Sequence, residues 1–124
     1  MLDMAWHTLE QPFEGDVIAF EKKAWAPTVT VPDVPGTLMS SSFGHIFAGG
    51  YAAGYYGYKW AEVLDADAFS VFKKAGIFNK DVAKSFYDNI LTKGGVEDPS
   101  VLYKRFRGQD PTIDALLIRN GIKK

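Results

Sequence analysis

Cysteine is absent from this sequence and histidine is scarce, with only His7 and His45 among 124 residues. Without cysteine the chain has no disulfide framework, no thiolate ligands for a metal and no thiol nucleophile. Neither histidine has a second histidine one helical turn away, a spacing that helical zinc sites use. A three-ligand zinc site would have to combine both histidines with a carboxylate from elements that share no motif.

The sequence also lacks an excess of either charge and any long apolar run. Its 14 Lys and Arg residues face 15 Asp and Glu residues, which leaves a formal net charge of −1. Because a phosphate-binding surface usually needs a basic excess, we expect no nucleic-acid partner. The most apolar stretch, 46–58, is interrupted by four glycines, whereas a bilayer span needs roughly 18 to 20 apolar residues. We therefore expect no membrane partner either.

The N-terminus has no basic segment and carries acids at Asp3 and Glu10, so it does not read as a secretory signal. Together with the lack of cysteine, this favours a cytoplasmic location. Residues 2–9 instead repeat their apolar side chains at helical spacing. Because the chain begins inside an amphipathic helix, we expect it to be a piece of a longer protein.

The spacing of apolar residues predicts an all-α fold with a single domain over residues 1–124. The length suits one hydrophobic core. Helical periodicity predicts helices at about 2–11, 16–27, 59–76, 80–92, 99–107 and 111–120. Asp16 is placed to cap the second of these, and Gly76 and Gly108 stand where helix C-termini are expected. The three prolines of 27–42 predict an ordered loop there.

The most unusual stretch is 43–58, FGHIFAGGYAAGYYGY, which holds four of the six tyrosines. Its glycines do not have the spacing of a phosphate-binding loop. The adjacent Gly49 and Gly50 permit positive φ and would let a loop move or approach a ligand closely. On a continuous helix Tyr51 and Tyr58, seven residues apart, would share one face. Their hydroxyls would then be able to donate hydrogen bonds to a developing oxyanion.

A purely structural interpretation of the same stretch stands beside the functional one. Tyr and Gly at helical spacing commonly pack a close helix crossing, and Tyr55 and Tyr56 are assigned to such packing. His45, between Phe43 and Phe47, is by composition alone more typical of a hydrogen-bonded structural histidine than of a ligand.

The run 43–69, FGHIFAGGYAAGYYGYKWAEVLDADAF, resembles the C-terminal part of the thimet oligopeptidase family of zinc metallopeptidases. The likeness is greatest to its bacterial oligopeptidase A and peptidyl-dipeptidase branches. It extends over nearly the whole chain, through LDMAWHTL at 2–9 and VLYKRFRGQDPTIDALLIRNGI at 101–122. This resemblance implies a multi-helical C-terminal portion of a larger peptidase, with a deep channel that admits only short peptides.

The resemblance also implies roles for particular residues. His45 would contact substrate, and Tyr51 would lie on a mobile loop with Gly49 and Gly50. Tyr58 would stabilise the oxyanion of the tetrahedral intermediate. Members of the family hold zinc through an HExxH motif and a later Glu, upstream of the matched region, and no HExxH occurs in this sequence. The chain would therefore form one wall of the cleft, depend on the upstream half for zinc, and be inactive alone.

Two other interpretations remain open from the sequence. The chain would also suit a stand-alone, non-catalytic helical module that binds peptides or a partner protein. A metal enzyme in its own right would need His7 and His45 as ligands.

Overall fold

The computed structural model describes residues 1–124, and all of its regular secondary structure is helical. The helices, in chain order, are α1 (Leu2–His7), α2 (Val17–Trp25), α3 (Met39–Ser42), α4 (Gly44–Phe47), α5 (Gly57–Ala75), α6 (Lys80–Phe86), α7 (Pro99–Arg107) and α8 (Asp114–Arg119). A 3₁₀ turn follows α2 at Ala26–Thr28, and a π turn extends α6 over Tyr87–Leu91. The prediction of an all-α fold is confirmed. None of these helices combines the length and the hydropathy needed to cross a bilayer.

The chain forms two compact units, Met1–Gly57 and Tyr58–Lys124. The boundary falls at the start of α5, so α1 to α4 belong to the first unit and α6 to α8 to the second. The single domain expected over residues 1–124 stays a prediction.

A buried carboxylate organises the first unit. Glu21 on α2 is only 3% exposed, and it accepts hydrogen bonds from Met39 N at 2.9 Å and from Ser40 N and Oγ at 2.6 Å each. Burial raises the pKa of Glu21, but these hydrogen bonds outweigh it and lower that pKa below its ordinary value. The charge therefore stays on the carboxylate and satisfies the free N–H groups at the start of α3.

Aromatic rings fill the space between α1 and α2. Trp6 lies 4.2 Å from Phe20 and 5.3 Å from Phe13, measured between ring centroids. The Trp6 indole N–H donates to Ser40 Oγ at 2.9 Å, which joins this cluster to the Glu21 network. Rings that interlock in this way contribute more than their buried area alone.

In the second unit a buried aspartate joins three elements. Asp67 on α5 is 1% exposed and accepts hydrogen bonds from Tyr103 Oη at 2.7 Å, Arg107 Nε at 2.9 Å and Thr112 Oγ1 at 3.3 Å. Burial raises the pKa of Asp67, yet the Tyr103 and Arg107 contacts lower it overall. The Tyr103 phenol, buried beside this carboxylate, has a raised pKa. The rings of Phe72, Phe86 and Phe106 pack alongside, with centroids 5.1 to 6.3 Å apart.

Helix boundaries follow the predictions where local caps decide them. Asp16 accepts from the N–H groups of Ile18 at 2.8 Å and Ala19 at 3.2 Å, so α2 begins as predicted. Gly76 and Gly108 end α5 and α7 at φ values of +104° and +81°. The predicted extent of α7 is confirmed.

Three α-helices, α1, α6 and α8, are shorter than predicted. α6 ends at Phe86 because the rest of the predicted helix adopts the π turn at Tyr87–Leu91. α1 ends at His7 rather than near residue 11, and Thr8 caps it. The Thr8 hydroxyl donates to the Met4 carbonyl at 2.9 Å, the same carbonyl that accepts from the Thr8 N–H, which is a local side-chain bond that competes with helix continuation. α8 begins at Asp114 rather than at Pro111. There the Thr112 side chain is held by Asp67, so a tertiary contact keeps the preceding residues out of the helix.

Candidate functional site

The unusual tyrosine-rich stretch is not one helix. The short helix α4 is anchored by Ile46, which is fully buried, and ends at Phe47. Residues 48–56, called here the Gly/Tyr loop, consist of bends and turns, and helical structure resumes only at Gly57. The prediction that Tyr51 and Tyr58 share the face of a continuous helix is therefore wrong. The physical reason is backbone conformation, since three residues of the loop have positive φ.

Gly49 and Gly50 break the helix at the start of this loop. Their φ values are +139° and +79°, a region that side chains with a Cβ adopt at a cost. No atom lies within 4 Å of the position that a Cβ would take at either residue. Glycine is therefore required here for its backbone conformation and not for space, as the sequence indicated.

The loop brings Tyr51 back to His45. The two rings meet edge to face with centroids 5.5 Å apart. Tyr55, which the sequence predicts to pack at a helix crossing, has its ring centroid 6.0 Å from that of His45 and 4.6 Å from that of Phe43. His45 is exposed and Tyr51 is 38% exposed. The structure thus places two of the predicted site residues together on an accessible surface of the first unit.

Asp3, which no sequence motif indicates as a site residue, binds the C-terminal part of the loop. Its carboxylate accepts from Ala53 N through Oδ1 at 2.8 Å and from Tyr55 N through Oδ2 at 2.9 Å. His7 Nδ1 lies 2.9 Å from Oδ1. Burial raises the pKa of Asp3, but the two backbone N–H groups and His7 outweigh burial and lower that pKa.

The only sequence signal for this contact between Asp3 and the loop is that Asp3 and His7 lie four residues apart in a short helix. Such a pair is common on exposed helices, where it carries no structural information. Asp3 is important because it binds loop residues that lie 50 and 52 positions further along the chain. A local sequence pattern does not reveal such a contact.

Tyr58 belongs to the second unit. It is the second residue of α5, in the first helical turn, and its side chain is 43% exposed. The neighbouring turn carries an ion pair between Lys59 Nζ and Glu62 Oε1 at 2.9 Å. The structure thus places Tyr58 at the start of a regular helix, in a different compact unit from His45 and Tyr51.

The residues of this chain do not fit a zinc ion. No group of three or more His, Asp and Glu side chains comes together in the structure in a way that would hold a metal. His7 directs Nδ1 at Asp3, which is itself occupied by backbone N–H groups.

Comparison with known proteins finds one family over nearly the whole chain. The family model described as Peptidase family M3 matches residues 1–122. Oligopeptidase A of Haemophilus influenzae is 49% identical over 116 residues, which is 94% of this chain and 17% of the relative. Oligopeptidase A of Escherichia coli K12 is 48% identical over 127 residues, 99% of this chain and 18% of the relative.

A second group of relatives consists of dipeptidyl carboxypeptidases. Dipeptidyl carboxypeptidase of Salmonella typhimurium is 40% identical over 126 residues, which is 100% of this chain and 18% of the relative. The chain thus spans less than a fifth of the length of the curated relatives it matches. The match nevertheless covers both compact units and the whole Gly/Tyr loop. The chain belongs to peptidase family M3.

Proposed function

We propose that this chain forms the substrate-binding side of a zinc oligopeptidase that hydrolyses short peptides. The observation that carries the proposal is the contact between His45 and Tyr51 across the Gly49–Gly50 break, in a member of a peptidase family. The names of the relatives, oligopeptidase and dipeptidyl carboxypeptidase, describe enzymes that act on peptides.

In this proposal each site residue meets a different part of a peptide. His45 has ring nitrogens that donate to a peptide carbonyl or accept from a peptide N–H. Gly49 and Gly50 let the loop close over the bound peptide, and that closure carries Tyr51 toward it. Tyr58 donates its hydroxyl proton in a hydrogen bond to the oxyanion that forms when the scissile carbonyl becomes tetrahedral.

The zinc site belongs, in this proposal, to the upstream half of the peptidase. This chain holds no ligand set, so its own contribution is binding and transition-state stabilisation rather than activation of water. Without that upstream half the chain is expected to be inactive.

A direct experiment compares the isolated chain with a chimera. In the chimera, these 124 residues replace the matching segment of Escherichia coli oligopeptidase A, which is 48% identical. The isolated chain is expected to leave a quenched fluorescent peptide intact and to purify without stoichiometric zinc, whereas the chimera hydrolyses the peptide. If the isolated chain hydrolyses the peptide and a chelator abolishes that activity, the proposal that the zinc site lies in the upstream half is contradicted.

A second candidate function is a non-catalytic helical module that binds peptides or a partner. Exposed apolar side chains favour it, among them Phe78 at 94% and Trp60 at 59% exposure. Exposed apolar residues mark an association surface when they form a contiguous patch. Sedimentation and peptide titration separate the two, because the module binds peptide or self-associates as an isolated chain, while a part of a peptidase needs the upstream half for both affinity and turnover.

A further inference from the structure

We infer that Asp3 is a positioning residue of the peptidase site, which fixes the Gly/Tyr loop in the conformation that places Tyr51 and Tyr55 against His45. This inference rests on the proposed function for its catalytic consequence, but not for its structural one.

The geometry of the contact requires a carboxylate. Each oxygen of Asp3 accepts from a different backbone N–H, that of Ala53 at 2.8 Å and that of Tyr55 at 2.9 Å. The side chain comes from the first turn of α1 and is only 6% exposed. An amide at this position offers one oxygen and would turn its NH₂ group toward the second N–H. Charge-assisted hydrogen bonds of this kind are short and strong.

His7 completes the environment of the Asp3 carboxylate. Its Nδ1 lies 2.9 Å from Oδ1 of Asp3 and 2.8 Å from the Asp3 carbonyl oxygen. Because both neighbours are acceptors, Nδ1 must carry the proton. The ring of His7 also lies 5.7 Å from the ring of Phe47, at the end of α4. The carboxylate is thus held on one side by its own helix and presents its other face to the loop.

The Asp3 carboxylate stabilises an unfavourable backbone conformation at Ala53. Its φ is +54°, the only positive value at a residue other than glycine in the chain. Alanine disfavours this left-handed conformation. Here the conformation aims the N–H of Ala53 at Oδ1 of Asp3, so the hydrogen bond offsets a local strain. A strained residue held by a buried charge is typical of a segment whose position matters to function.

The two ends of the loop therefore behave differently. Gly49 and Gly50, called here the pivot, give the start of the loop the conformational freedom of glycine. Asp3, called here the clamp, holds the N–H groups of Ala53 and Tyr55 near the end of the loop. Tyr51 lies between the pivot and the clamp, and Tyr51 O accepts from Gly54 N at 2.9 Å in the turn that leads to the clamp. Asp3 thereby sets where the tyrosine rings stand without being placed to touch a peptide itself.

The first test is amide hydrogen exchange, followed by NMR, in the isolated chain. In Asp3→Asn we expect the amides of Ala53 and Tyr55 to exchange about tenfold faster or more, while amides in the centre of α5 keep their protection. Glu10→Gln, which removes an exposed carboxylate soon after α1, is the matched control and leaves both amides unchanged. If Asp3→Asn unfolds the first unit as a whole, His7→Gln serves as the second variant, and we expect faster exchange at the same two amides.

The second test measures kcat and KM of the chimera with the Asp3→Asn substitution. A positioning role lowers kcat by about tenfold or more while KM changes less than about threefold, because His45 still meets the peptide. Unchanged exchange at Ala53 and Tyr55 in folded variants, or an unchanged kcat despite faster exchange, overturns the inference. A wild-type chimera that binds zinc but has no activity overturns the proposed function instead, and the exchange result still decides whether Asp3 holds the loop.

Discussion

The Tyr103 hydroxyl on α7 donates a 2.7 Å hydrogen bond to the Asp67 carboxylate on α5, and both groups are buried in the second unit. Tyr103→Phe keeps the ring and removes this donor, which leaves a buried charge with one partner fewer. We expect the free energy of unfolding, measured by urea denaturation, to fall by about 1.5–3 kcal/mol, the range for a hydrogen bond to a charged group.

The matched control for this substitution is Tyr87→Phe, since Tyr87 is 57% exposed. Removal of its hydroxyl is expected to change the free energy of unfolding by less than about 0.5 kcal/mol. Equal effects of the two substitutions would contradict the claim that the Tyr103 hydroxyl stabilises the buried Asp67 carboxylate.

Acid is expected to destabilise the fold through three buried carboxylates. Burial raises the pKa values of Asp3, Glu21 and Asp67, but their hydrogen bonds outweigh it and leave each pKa below its ordinary value. Because the folded-state pKa values lie below the unfolded ones, the stabilisation is complete at neutral pH. It is lost as the pH falls from the unfolded pKa through the folded one. The free energy of unfolding should therefore decrease below about pH 5.

Urea denaturation from about pH 7 to about pH 3 checks this dependence. Asp67→Asn is the informative variant, because it removes one of the three depressed carboxylates. It is expected to be less stable than wild type at neutral pH and to lose less further stability in acid. A wild-type profile that stays level over this range would show that the three carboxylates do not couple folding to protonation.

Gly50 is expected to be sensitive to substitution for conformational reasons alone. Its φ is +79°, and a Cβ added there meets no atom within 4 Å. Gly50→Ala should therefore lower the free energy of unfolding by about 1 kcal/mol through backbone strain. In the chimera it should also lower kcat, because the pivot of the Gly/Tyr loop stiffens.

Gly95→Ala provides the matched glycine control. Gly95 has no positive φ and equally open surroundings, so an alanine there is tolerated. We expect wild-type kcat from Gly95→Ala and little change in stability. A Gly50→Ala chimera with the same kcat as Gly95→Ala would argue that loop movement has no part in turnover.

Local signals predicted the elements of this fold better than their long-range contacts. The Asp16 cap and the glycines at 76 and 108 act on their own helix ends, and all three predictions are confirmed. The shorter α8 depends on Thr112 contacting Asp67, 45 residues away in sequence. Such a contact leaves no periodic pattern, so propensity alone extends the helix too far.

In the candidate site, too, the local features are predicted from the sequence and the long-range contacts are not. Gly49 and Gly50 are consecutive, and their positive φ values follow the expectation from glycine pairs. The shared helical face of Tyr51 and Tyr58 was wrong, because the seven-residue spacing holds only where the helix is continuous. Asp3 was missed because its partners are backbone N–H groups, whose positions no side-chain pattern reveals. The roles of His45, Tyr51 and Tyr58 in catalysis stay predictions.

The most direct test of the proposed function is the turnover number of the chimera carrying Tyr58→Phe, beside Tyr56→Phe as the control tyrosine of the same turn region. A phenol that donates to the oxyanion is expected to be worth a factor of about 10² to 10³ in kcat, with KM nearly unchanged. Tyr56, 60% exposed and given no role in the chemistry, should leave kcat at the wild-type value. An unchanged kcat in a folded, zinc-loaded Tyr58→Phe chimera would contradict the claim that this chain stabilises the transition state.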